Sequence, residues 1–217
     1  MSFEATWPWL VLLALGAFHG INPGMGWLFA VALGLQEQRR QAVFAALLPI
    51  ALGHAISIGA VVLVVGLLQV VVSESVLRWL CAAVLFAFGG YRLVRSRHPR
   101  WVGMRVNFWD LTVWSLLMAS AHGAGLMLVP VLLQWPGTDY AHTRLLQELS
   151  PSTMVRTPLL LLAAVSVHTL SMLVVTTAVA VLVYERLGLA LLRQAWFNLD
   201  LLWAIALLIA GVLALVW

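Results

Sequence analysis

Four histidines stand where an apolar chain has least use for them. His19, His54, His122 and His168 each lie ten or more residues inside a stretch free of charged side chains, while the other two of the six, His98 and His142, fall in polar connecting segments. A neutral imidazole is a ligand for Zn, Cu, Ni, Co or Fe. It also carries protons near neutrality, with an unperturbed pKa of about 6.5. One such histidine can simply hydrogen-bond a neighbouring helix. Four at related positions point to a shared polar site, because each is costly to bury without a partner. Met25 and Met127 follow two of them closely. Their thioethers would favour Cu(I), although methionine in an apolar span also serves as packing. Asn22 follows His19, and Ser57 and Ser171 each follow a histidine by one helical turn. A ligating imidazole usually donates its second N–H to such a side chain, so these three are candidate supporting partners or transient ligands.

Acidic residues are missing from the same regions. Asp110 and Asp200 sit near the ends of apolar stretches, where they are candidate gate residues or helix caps. A divalent cation held only by neutral ligands keeps its full charge in a low dielectric. That leaves a hydrated transient site, a monovalent Cu(I), or a different solute.

The elements that must carry these residues follow from composition. The 217-residue chain is 63% hydrophobic and 9% charged, with mean hydropathy +1.01. A soluble domain carries about 25% charged residues, so the expected class is an all-α integral membrane protein. Six spans are expected, at roughly 8–34, 43–72, 76–94, 110–134, 157–183 and 197–217, forming a single transmembrane domain over 1–217. Trp7, Trp9, Trp79, Trp109, Trp135, Trp196 and Trp217 fall near span ends, as interfacial tryptophans do. The first apolar run is too long for a signal-peptide core and reads as the first span. All twelve basic residues are Arg, and they lie mainly in short loops, which excludes a nucleic-acid reading of the +4 net charge. Cys81 is the only cysteine, so neither an internal disulfide nor a Cys-based zinc motif is possible.

Six spans put both termini on one side. Arg39, Arg40, Arg92, Arg95, Arg97, Arg100, Arg105, Arg186 and Arg193 fall in the loops of the other side, against Arg78, Arg144 and Arg156 on the terminal side. The positive-inside bias then places both termini outside the cytoplasm, in a bacterial inner membrane. The outer loop 134–156 holds a short amphipathic stretch, Tyr140–Leu149, which reads as a connector or a lid.

The chain also repeats itself. Gly16-Ala17-Phe18-His19-Gly20 is echoed by Ala119-Ser120-Ala121-His122-Gly123, and the His-x-x-Ser of His54 and Ser57 by that of His168 and Ser171. Each unit holds three spans, repeat one over 8–94 and repeat two over 110–217. An odd number of spans makes the second copy enter the membrane from the opposite side, so the arrangement is a 3+3 inverted repeat. Pro23 and three nearby glycines preclude a regular helix through His19–Gly26. Such backbone at membrane depth is tolerated beside protein or a cavity. The first span is therefore expected to break there and restart near Pro23–Met25. The fourth has Gly123 and Gly125, with Pro130 later, and Gly89 and Gly90 of the third are expected at close helix contacts.

At these residues the chain resembles the nickel/cobalt transporter family within the lysine-exporter-like superfamily. His19-Gly20-Ile21-Asn22-Pro23-Gly24-Met25 is similar to that family's His-x-x-Asp-x-Asp-His signature, with Asn22 and Gly24 in place of the aspartates and Met25 in place of the second histidine. Leu52-Gly53-His54-Ala55-Ile56-Ser57-Ile58 is closer to its Leu-Gly-His-Ser/Thr signature. The likeness covers the first two spans and implies movement of Ni²⁺ or Co²⁺ through those polar residues.

The expected activity is therefore transport of a transition-metal cation (Ni/Co-like or Cu) by alternating access through a midplane histidine site, with no enzymatic step. The rivals are an exporter of a small organic solute with proton-carrying histidines, and a membrane enzyme or assembly factor that holds a metal in place. The expected partners are the lipid bilayer and the ion or solute, with a homodimer as a candidate assembly and no nucleic acid.

Overall fold

A computed structural model describes residues 3–94, 106–135, 151–187 and 199–216, and these are helical with no strand among them. The helices are α1 (Phe3–Ile21), α2 (Trp27–Glu37), α3 (Arg40–Val71), α4 (Glu74–Val94), α5 (Phe108–Ala121), α6 (Ala124–Leu133), α7 (Pro151–Leu182) and α8 (Leu199–Val216). A 3₁₀ turn, Pro23–Met25, links α1 to α2, and a π-helical turn, Val183–Leu187, extends α7. Two helices are long and apolar enough to cross a membrane, Arg40–Leu68 and Pro158–Arg186; a third is counted if the bent pair α5 and α6 forms one span. The remaining helices are apolar but shorter. The tip of the 134–156 loop and Tyr140–Leu149 lie outside the described residues.

Two expected spans are broken, each where a glycine takes a positive φ. After α1, Asn22 is extended, as a residue before proline prefers, and Gly26 turns the chain at φ +122°. The freed carbonyl of Ile21 accepts the Trp27 indole N–H at 2.9 Å. The regular helix resumes at Trp27, later than the sequence suggests, because Pro23–Met25 closes only a 3₁₀ turn. In the second break Gly123 takes φ +68°, and α5 and α6 meet at a 56° bend. Pro130 stays inside α6 and does not cause that bend.

Packing exchanges partners between the two segments that carry the matched motifs. The most extensive contacts are α1 against α7, α3 against α5, and α4 against α8. Small residues allow the approach. A Cβ on Gly16 or Gly20 would run into the α7 backbone at His168 and Met172, and one on Gly53 into the α5 backbone at Thr112. Hydroxyls cross the same seams. Ser171 Oγ donates to the Leu13 carbonyl at 2.7 Å, and Ser115 Oγ to the Ile50 carbonyl at 2.7 Å. Gly89 packs on Leu208 and the Ala204 carbonyl, as expected for a close contact, but Gly90 has open space around it and plays no such part.

The apolar surplus is spent on both sides of the helices. Leu85, Leu128, Met172 and Leu207 are fully buried, whereas Leu48, Leu67, Trp79, Trp109 and Val174 are largely exposed. Outward Leu, Ile and Val on most helices form a surface that water would penalise and lipid would not.

Candidate functional site

Each intraspan histidine is buried, and three of the four meet. His19 lies in the last turn of α1, His54 mid-way along α3, and His168 mid-way along α7; all three are inaccessible to solvent. The His19 ring centroid is 5.4 Å from that of His54 and 4.9 Å from that of His168. His54 and His168 lie with ring planes 6° apart and Nε2 atoms 3.4 Å apart. Thus the two histidines of the matched His-x-x-Ser motifs face each other.

The matched pair His19 and His122 shares a different device. His19 Nδ1 lies 2.6 Å from the Leu15 carbonyl and His122 Nδ1 2.7 Å from the Met118 carbonyl, each four residues back. A carbonyl only accepts, so Nδ1 carries the proton in both rings and Nε2 keeps its lone pair. The His19 Nε2 and the His54 Nδ1 are buried and find no hydrogen-bond partner among the described residues. Such atoms are uncommon in a folded interior and cost free energy there.

His122 does not join the three-ring cluster directly. Trp203 of α8 stands between, edge-to-face with His19 at 4.7 Å and with His122 at 5.1 Å. Its indole N–H donates to the His122 carbonyl, freed by the break after α5, and its ring stacks on Phe18 at 4.9 Å. Trp203 lies outside both sequence motifs, and Phe18 within one of them has no role there until its stacking is seen. The available signal was position, since Trp203 lies inside an apolar stretch and away from the tryptophans near stretch ends. On its other side His122 approaches the first break: a Cβ on Gly24 would lie 3.7 Å from His122 Nε2.

The supporting residues have other employment. Asn22 Oδ1 accepts the Gly24 N–H at 2.8 Å and caps the 3₁₀ turn, so that oxygen is engaged in the turn rather than with an imidazole. Ser57 Oγ pairs with Ser120 Oγ at 2.8 Å, and Ser171 bonds α1 as described. Each serine thus bonds a helix of the other segment, which it helps to hold. Met25 and Met127 belong to the main apolar core with Ile50 and Leu207. Asp110 forms a reciprocal capping box with Asn107 at the start of α5, with bonds of 2.9 and 3.0 Å. Its carboxylate is thus a helix cap, as a short acid at such a position prefers. Asp200 falls in the first turn of α8, and its side chain lies outside the described residues.

Among the described residues, no group of three or more His, Cys, Asp or Glu side chains stands in an arrangement that would hold a metal ion. The cluster offers a closely set pair of imidazole nitrogens with a third ring beside it. Comparison with protein-family models, curated proteins and solved structures finds no match to the chain.

Proposed function

We propose that this protein is an integral membrane transporter for a transition-metal cation, which passes through the histidine cluster. The observation that carries the reading is the convergence of His19, His54 and His168, from α1, α3 and α7, on one buried point. Polar rings at that depth mark a path or a site. On this reading α1 with α2, and α5 with α6, are each one broken span, giving six spans as a 3+3 inverted repeat. The exchanged pairing of α1 with α7 and of α3 with α5 supports that plan, as do the two glycine-centred breaks. Transporters of this design bind near the midplane between repeats and alternate by rocking one against the other. Within the cluster His54 and His168 would take the ion, the His19 ring would line its path, and His122 with Trp203 would guard the way towards Gly24.

Orientation follows the arginines, with the termini outside the cytoplasm in a bacterial inner membrane. The Arg40–Glu185 ion pair, 3.2 Å, brings the start of α3 and the end of α7 to one side, as the six-span plan requires, and leaves which side to the arginine count. Purified protein in liposomes loaded with a metal-sensitive dye tests the proposal. Offered Ni²⁺, Co²⁺, Zn²⁺ and Cu⁺ in turn, the wild type is expected to move at least one, and His54→Gln and His168→Gln to lose that flux. Absence of flux for every ion, or flux indifferent to both substitutions, overturns it.

A further inference from the structure

We propose that the His54–His168 pair, with the His19 ring beside it, binds a monovalent d¹⁰ cation, Cu(I) or its redox-inert analogue Ag(I), in preference to a divalent ion such as Ni²⁺ or Co²⁺. The inference rests on reading the histidine cluster as the cation site, and it narrows the substrate class.

Charge is the first ground. The three rings contact one another, the Leu15 carbonyl, Phe18 and Trp203, all neutral. The acids placed by the structure, Glu37, Asp110 and Glu185, are exposed at helix ends. The cost of taking an ion from water into a poorly polarisable interior scales with the square of its charge. In this setting a divalent ion therefore costs about four times as much as a monovalent ion of similar size. Retained water would lower that cost, but His19, His54 and His168 are sealed from solvent.

Donor number is the second. A bare Ni²⁺ or Co²⁺ ion seeks a fuller coordination shell than two or three imidazoles, whereas d¹⁰ monovalent ions are satisfied by two or three. Two nitrogens 3.4 Å apart subtend about 110–115° at an ion with bonds of about 2.0–2.1 Å, the length of a metal–imidazole bond. That angle leaves one side of the ion open, and the His19 ring lies against the pair, its centroid 5.4 Å from that of His54 and 4.9 Å from that of His168.

The proton balance closes without an added reactant. Between two neutral rings, the Nε2···Nε2 contact holds one proton. Moving that proton to Nδ1 of its own ring frees both Nε2 lone pairs, so the ion enters with no proton released and the loaded site carries a single positive charge.

The test is Ag⁺ binding to the full chain in detergent, by equilibrium dialysis with mass-spectrometric metal counting, together with X-ray absorption at the silver edge. Cys81 and the methionines are competing soft donors, so Cys81→Ser is measured alongside. The expected result is one Ag⁺ per chain with a first shell of nitrogen, kept in Cys81→Ser and weakened more than about tenfold in His54→Gln and in His168→Gln. A sulfur shell, loss in Cys81→Ser alone, or displacement of Ag⁺ by equimolar Ni²⁺ or Co²⁺ overturns the inference. The nitrogen shell of the wild type is read without any variant, so a misfolded mutant does not protect the idea. Flux of Ni²⁺ or Co²⁺ without Ag⁺ would sink the monovalent class and leave transport standing. Nitrogen-bound Ag⁺ without flux of any ion would do the reverse.

Discussion

Single side chains in this protein divide into those that hold helices and those that leave polar atoms unused. Ser57 and Ser171 belong to the first kind, because each hydroxyl already bonds the facing helix. Ser57→Ala and Ser171→Ala are expected to cost about 0.6 kcal/mol each, the usual worth of such a bond between membrane helices. Ion flux is expected to be unchanged, and a loss comparable to that of His54→Gln would show that the hydroxyl touches the ion. Trp203 fills the space between two imidazoles, so Trp203→Ala should cost about 3–5 kcal/mol through the cavity it leaves. Its check is a fall in melting temperature in detergent. At this scale the sequence was partly legible: burial of a histidine in an apolar run showed that it needed company. It did not show what that company was, since Asn22 and the serines have equally good uses as caps and bridges. A mid-span tryptophan looks like any other bulky apolar residue until its neighbours are known.

At the scale of elements, glycine decides both where helices break and where they touch. Gly26 and Gly123 hold conformations that a side chain strains, and Gly20 lets α1 lie on α7. Gly20→Leu would force those two helices apart at the Met172 carbonyl. We expect a loss of about 1–3 kcal/mol, the usual range for overpacking, seen as a lower unfolding temperature. An unchanged temperature would mean the helices are not in contact there. The first break was legible in Pro23, which cannot continue a helix. The second was not, because the visible proline, Pro130, sits harmlessly in α6 while the bend comes from Gly123. Nor did Gly89-Gly90 announce that only the first is packed, since which glycine faces a neighbour depends on helix rotation.

For the whole molecule, the ordering idea is that the two segments interlock rather than stand side by side. α1 leans on α7, α3 on α5, and α4 on α8. The motif echoes were legible as matched residues, His19 with His122 and His54 with His168. The exchange itself was not, because a repeat in the sequence is silent on which copy its helices pack against. Ser57 and Ser120 lie across the α3–α5 seam with hydroxyls 2.8 Å apart, close enough for a bridge to form with small adjustment. In a Cys81→Ser background, Ser57→Cys with Ser120→Cys should form a disulfide on mild oxidation, detected as a linked peptide by mass spectrometry. Its absence would speak against the exchanged packing.

On the proposed function, imidazoles from the two segments share one ion. Anomalous diffraction from crystals soaked in Ag⁺ measures this most directly. One strong peak is expected within bonding reach of Nε2 of both His54 and His168. A peak confined to Cys81 or a methionine sulfur, or no peak near either ring, would contradict it.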